Sequence, residues 1–325
     1  MSGVPPRWLV RVQGGLALVL MLGVLLALWQ RWDQVRAERW QLAPLPLALS
    51  LGVLVAALLL WALVWAGMLR RLGATARSRR EIAWVYLSSN LARYLPGAVW
   101  NLVARAYLGG RYGLGQRRVW TATAIDLGLA VASGLLIYLL SGAVGAPVPV
   151  PVPIAAGGAL VVLALISPPV LAGLDRRLAA RSGRGVVLGW RELGGYLGCS
   201  LLIWVAIGLA FGLLLSALYP LEPVLLPAAA GAWSLAVVVG LVAPGVPQGL
   251  GVREGVLMLM LASLVPLPTA AALAVASRFW MICGDVLAVG IWWTVGVYAT
   301  KRRARTLRGW PASEATASSA GQGGG

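Results

Sequence analysis

The 325-residue chain is 60% hydrophobic and only 11% charged, with a mean hydropathy of +0.83. A soluble domain carries about a quarter charged residues, so a soluble enzyme or binding module is excluded, and the long continuous apolar runs imply membrane-crossing helices rather than a barrel. The net charge of +17 does not point to nucleic acid: 21 of the 27 basic residues lie in short segments flanking apolar runs, where the positive-inside bias puts them and where they attract anionic lipid headgroups.

In chain order, the first predicted span covers 8–29. Arg7 and Arg11 near its start resemble a signal peptide. The run nevertheless ends Leu28-Trp29-Gln30-Arg31 with no small-residue cleavage site, which predicts an uncleaved span. The second span covers 45–69 and leads into a basic loop holding Arg70, Arg71, Arg77, Arg79 and Arg80. An apolar segment at 82–104, broken by Pro96-Gly97, ends in a second basic loop at 105–118. Further spans are predicted at 119–140, 154–174 and 194–218. A second broken segment, 228–264, contains Pro244-Gly245. The stretch 269–298 is apolar for about 30 residues, which fits one strongly tilted span or a short helix followed by a full one. From Lys301 the tail is basic and then rich in Ser, Ala and Gly, and is read as disordered. There is no histidine, and Cys199 and Cys283 read as small residues inside apolar runs, so neither a metal site nor a cofactor is expected.

The two Pro-Gly dipeptides are followed by arginine at the same spacing: Pro96-Gly97-Ala98-Val99-Trp100-Asn101-Leu102-Val103-Ala104-Arg105, and Pro244-Gly245-Val246-Pro247-Gln248-Gly249-Leu250-Gly251-Val252-Arg253. Charge decides how such segments insert. If both crossed fully, with the N-terminus inside, nine arginines of the 105–118 and 175–191 loops would face outward. If each is a hairpin returning to its own face, all the basic loops lie inside with both termini, and 141–153 lies outside. The hairpins then enter from opposite faces. The expected architecture is all-α: about six full spans plus two oppositely inserted re-entrant hairpins, forming an inverted repeat with halves near 45–140 and 194–298 in one domain, 1–300, followed by the cytoplasmic tail 301–325. Non-helical backbone at membrane depth is tolerated only where protein or a wet cavity satisfies it, so the tips Pro96, Gly97, Pro244 and Gly245 are expected to line a cavity. Gly194, Gly198, Gly208 and Gly212 form a small-xxx-small stripe suited to close packing.

Charges at membrane depth cost several kcal/mol and mark functional sites. Here they are Arg93, Arg105, Asp126, Arg253, Glu254, Arg278 and Asp285; Arg278 and Asp285, two turns apart, share a helix face. The arginine forks suit phosphate oxygens, with Asn90, Asn101 and Gln248 as neutral contacts. Internal pairing that fixes helix packing is the competing reading. Ser88 and Ser89 read equally as hydroxyls bonded back to their own helix. No Gly-rich phosphate loop, HExxH, CxxC or nucleophile elbow appears, and the chain is read as a non-enzyme.

Asn90-Leu91-Ala92-Arg93-Tyr94-Leu95-Pro96-Gly97 through Arg105-Ala106 resembles the first block of the lysylphosphatidylglycerol synthase transmembrane-region family. Pro244 through Glu254, with Arg278 downstream, resembles its second and more specific block. The resemblance covers roughly residues 10–300 and implies a stand-alone relative of the membrane part of a bacterial enzyme that aminoacylates phosphatidylglycerol, a part regarded as a flippase for the modified lipid. Where family members often carry a Glu-Arg pair this chain has Ile125-Asp126, which leaves headgroup specificity open. The expectation is a translocase of the bacterial plasma membrane, acting on membrane lipids with anionic or polar headgroups and driven by a gradient or by coupled synthesis. The alternatives are a non-transporting accessory subunit that presents a lipid to a glycosyltransferase or other envelope enzyme partner, and an integral enzyme acting on lipid phosphate.

Overall fold

The computed structural model describes residues 23, 26, 29–30, 32–38, 40–74, 77–94, 100–143, 150–179, 188–243 and 249–308. Every regular element among them is helical: α1 (Trp32–Ala37), α2 (Pro44–Arg71), α3 (Arg79–Leu91), α4 (Trp100–Arg111), α5 (Gln116–Ala143), α6 (Val152–Leu165), α7 (Pro168–Ala179), α8 (Trp190–Leu218), α9 (Leu226–Val242), α10 (Val252–Leu261) and α11 (Leu267–Arg308). Single 3-10 turns follow α3 (Ala92–Tyr94) and precede α9 (Pro223–Leu225). Five stretches are long and apolar enough to cross a bilayer: Pro44–Arg71, Gln116–Ala143, Trp190–Leu218, Pro223–Val242 and Leu267–Val295. The chain is a multi-pass membrane protein. The span expected at 8–29 lies almost wholly outside the described residues.

Two expectations are corrected. The segment 154–174 is not one span but two helices broken at Ile166–Ser167. Pro168 and Pro169 have no N–H to give back to the preceding turn, so they begin a new helix where none is needed. The 14 residues of α6 rise about 21 Å, short of a bilayer core of about 30 Å. The stretch 269–298 lies within one unbroken helix of 42 residues, which carries the chain through the start of the basic tail to Arg308 rather than ending in disorder at Lys301. The two interrupted segments are also unequal. The first has limbs of 13 and 12 residues (α3 and α4), whereas α9 with its 3-10 turn makes a 20-residue stretch ahead of a ten-residue α10.

The packing is reciprocal. Within 44–143, α2 packs on α3, α3 on α4, and α5 on both α4 and α2; within 190–308, α8, α9, α10 and α11 repeat each of those contacts. Between the two sets, α2 lies on α8, α3 on α11, and α9 on α5. The α2–α8 pair runs antiparallel: the Ala43 N–H donates to Ala217 O at 2.9 Å, Ser50 Oγ to Ala210 O at 2.6 Å, and Arg71 meets Glu192 at 3.5 Å. The α3–α11 pair is antiparallel too, with Trp292 Nε1 donating to Arg80 O at 3.2 Å at one end and Tyr94 meeting Asp285 at the other. In α5–α9, Gly231 sits against Ser141 and Gly134 against Val238, again antiparallel. Of the glycine stripe on α8, Gly208 and Gly212 take α9 close, at Ala230 and Leu226, while Gly194 and Gly198 face open space. Trp233 anchors the interior against Phe211 and Trp280, with ring centroids 4.7 and 5.2 Å away.

The mouth of α3 is set by a capping box. The Ser78 hydroxyl accepts from the Glu81 N–H, and Glu81 accepts from the Ser78 N–H at 2.9 Å. The backbone bond from Ser78, its hydroxyl and the nearby Arg77 hold the Glu81 carboxyl below the usual carboxylate range. A depressed folded value adds stability above the unfolded pKa, and that stability is lost as pH falls through the folded value. Ser78→Ala should cost about 1 kcal/mol, and Glu81→Gln should flatten the acid limb of the melting-temperature profile in detergent; an unchanged acid limb would contradict the assignment.

Candidate functional site

Asp126, midway along α5, is the hub of a buried network. Its Oδ1 accepts the Trp61 indole N–H at 2.8 Å, and its Oδ2 accepts the Tyr86 hydroxyl and Arg105 Nη1, each at 3.3 Å. Arg105 is 4% exposed. It donates through Nη2 to Asn90 Oδ1 at 2.8 Å and through Nε to Ser89 Oγ at 3.3 Å. Its guanidinium lies 4.1 Å from the Tyr86 ring centroid and 5.4 Å from that of Trp65. Four helices, α2 to α5, supply this network. Ser88 bonds back to Trp84 O and takes no part in it.

A second group sits on α10 and α11. Arg278 donates to Glu254 Oε1 at 2.7 Å, and Glu254 Oε2 accepts the Gly251 N–H, also at 2.7 Å, at the start of α10. Glu254 thus both caps a helix and neutralises an arginine, whose charge would otherwise stand alone in an apolar interior. Asp285 on α11 accepts the Tyr94 hydroxyl at 2.5 Å, and Arg93 lies 3.8 Å away. Arg93 also donates to Asn90 O at 3.1 Å, which ties the second group to the first. Arg253 lies over the Trp233 ring at 4.4 Å, and its Nε and Nη2 are buried with no hydrogen-bond partner among the described residues. In each half, then, an arginine of the second limb lies on an aromatic ring of the first.

Between the two sets of helices is a cavity of about 140 Å³. Asn90, Arg93, Asn101, Arg105, Thr123 and Asp126 provide its polar lining; Trp61, Trp204, Trp233 and Met281 form much of the apolar wall. Of the residues singled out by sequence, Asn90, Arg93, Asn101, Arg105 and Asp126 come together here. Glu254, Arg278 and Asp285 stand apart from the lining, paired as described, and Arg253 reaches it only through Trp233. Pro96, Gly97, Pro244, Gly245 and Gln248 lie outside the described residues.

Sequence reasoning missed Trp61, Tyr86 and Tyr94, each of which bonds an interior carboxylate, Asp126 or Asp285, through its polar tip. It also missed Gly240 and Gly249. Gly249 has φ +64°, and a Cβ there would lie 2.3 Å from the Gly240 Cα, so the chain entering α10 rests backbone to backbone on α9. The Gly-Leu-Gly spacing before Arg253 was the available signal for Gly249.

The family model of the lysylphosphatidylglycerol synthase TM region matches residues 12–288. No curated protein matches the chain. The protein belongs to the lysylphosphatidylglycerol synthase transmembrane-region family, a membrane module tied to lipid handling.

Proposed function

We propose that this member of the lysylphosphatidylglycerol synthase transmembrane-region family is a lipid translocase of the bacterial plasma membrane. A polar or anionic headgroup passes through the cavity between the halves while the acyl chains stay in the bilayer. The observation that carries this reading is the cavity itself, a headgroup-sized space with two arginines, a carboxylate and two asparagines on its wall, inside a bundle of membrane-crossing helices. Lipid chains need no protein enclosure; a headgroup does, because its hydrogen bonds and charge are expensive to lose in hydrocarbon.

The reciprocal antiparallel packing supports an inverted repeat, with α3–α4 and α9–α10 as oppositely inserted hairpins and both termini on the cytoplasmic side. Such repeats place their substrate site at the midplane between the halves and alternate access by rocking one against the other. The module does this without catalysing a covalent step. In liposomes carrying headgroup-labelled lipids, a quencher added outside should remove nearly all fluorescence when the protein is present and about half when it is absent. Equal quenching for phosphatidylglycerol, its aminoacyl ester and polyprenyl-phosphate lipids in both preparations would contradict the proposal.

A further inference from the structure

Among the described residues three ion pairs lie in the interior, and one of them joins the two sets of helices. Arg105–Asp126 is internal to the first set and Arg278–Glu254 to the second, at 3.3 and 2.7 Å. Asp285, on α11 of the second set, instead reaches the 3-10 turn that ends α3, where it accepts the Tyr94 hydroxyl and faces Arg93 at 3.8 Å. Arg71 and Glu192 also meet across the boundary, but with 69% and 34% of their side chains exposed, where a pair adds at most about 1 kcal/mol. The crossing pair is the loose one. Its 3.8 Å is beyond hydrogen-bond distance, and 20% of the Arg93 side chain is exposed against 5% for Arg105. Arg93 lines the cavity, whereas Asp285 is buried and does not. A guanidinium that leaves Asp285 therefore turns toward a polar cavity and not into hydrocarbon, which lowers the cost of parting. The second interrupted segment has no such tie. In the register set by the two Pro-Gly dipeptides, Leu241 and Val242 stand where Arg93 and Tyr94 stand in the first. The helix that α9 packs on, α5, carries a single carboxylate, Asp126, already engaged by Arg105, Trp61 and Tyr86. One boundary is fastened by charge, and the matching one is apolar.

We infer that Asp285 is a latch between the halves: it fastens the end of α3 to α11 while the cavity is closed, and its release from Arg93 and Tyr94 lets the halves part on that side. The element with two arrangements is the α3–α11 contact, whose other end is held by the Trp292 indole bond to Arg80 O at 3.2 Å. The intra-half pairs keep each half rigid as it moves. The latch takes its purpose from the lipid-translocase reading, in which the halves rock against each other, but its existence is tested without transport.

The test uses the full-length protein in nanodiscs, with Cys199 and Cys283 replaced. Met281→Cys reports the cavity, because Met281 is buried on its wall, one turn before Asp285. Ala229→Cys reports the fold, because Ala229 is fully buried and not part of the lining. Releasing the latch shifts the population toward the open form, so a water-soluble thiol reagent should modify Met281→Cys about tenfold faster in Asp285→Asn than in the parent. Tyr94→Phe keeps both charges and should give a smaller rise; it decides the matter if Asp285→Asn fails to fold. The exchange Arg93→Asp with Asp285→Arg should return the rate close to that of the parent, and Ala229→Cys should stay slow throughout. Parental rates in both single variants, or a rise in Tyr94→Phe that Ala229→Cys shares, show a contact that serves the fold alone and overturn the latch. A charge exchange that leaves the reaction fast overturns the ion pair as its basis. Joining Tyr94→Cys to Asp285→Cys with a short, cleavable bifunctional thiol reagent should stop lipid movement, and cleavage should restore it. Movement that persists while the two are joined overturns the latch's part in the cycle. No lipid movement by any form, with the labelling rates as expected, sinks translocation and leaves the latch standing.

Discussion

Gly249→Ala is expected to destabilise the protein by about 2–5 kcal/mol, the sum of two costs that cannot be relieved together. An L-residue at positive φ costs roughly 1–2 kcal/mol, and overpacking a closed interior adds roughly 1–3 kcal/mol. Here the added methyl would meet the Gly240 backbone at 2.3 Å, and backbone cannot rotate aside as a side chain can. The loss is a large share of a total stability of roughly 5–15 kcal/mol. Gly113→Ala is the control: its φ is +67°, but nothing lies within 4 Å of the added methyl, so only the conformational cost remains. Thermal melts and size-exclusion profiles in detergent should show Gly249→Ala largely aggregated and Gly113→Ala folded. Similar behaviour of the two would mean that the contact between α9 and the start of α10 is not what closes the second half.

Asp126→Asn is expected to cost about 3–5 kcal/mol, the usual penalty for removing one partner of a buried ion pair, and to stop lipid movement. The asparagine keeps the shape and can still accept from Trp61, but it leaves Arg105 charged beside two aromatic rings with nothing to neutralise it. The double variant Arg105→Met, Asp126→Leu should melt well above Asp126→Asn, because no orphan charge remains, and should still fail to move lipid, because the cavity has lost its polar wall. Recovery of transport in the double variant would show that the pair serves packing alone.

The sequence exposed some of this and hid the rest for definable reasons. Hydropathy located α2, α5 and α8 to within a few residues, because lipid contact demands continuous apolar surface. The charge asymmetry of the loops argued for opposed hairpins, while the antiparallel α2–α8, α3–α11 and α5–α9 pairings were not legible in it. The break in 154–174 was written in Pro168-Pro169 but obscured by the apolar residues on either side. The three interior charge pairs could not be read; Asp126 and Arg105, for example, lie on different helices and nothing in their spacing names them as partners. Trp61 read as a generic span residue; only the folded chain shows that its indole N–H, at 2.8 Å, steadies the carboxylate at the centre of the site. Arg253 was visible as a charge at membrane depth, but its lack of a carboxylate became visible only once the others were paired.

The opposed insertion of the two halves is the premise on which the cavity, the hairpins and the transport route depend. Single cysteines at Arg79, Arg191, Gln41 and Glu222, all exposed, in a background with Cys199 and Cys283 replaced, test it directly with a membrane-impermeant thiol reagent on intact cells. The account predicts labelling at 41 and 222 from outside, and at 79 and 191 only after the membrane is opened. Labelling of 79 and 222 from the same face would contradict it.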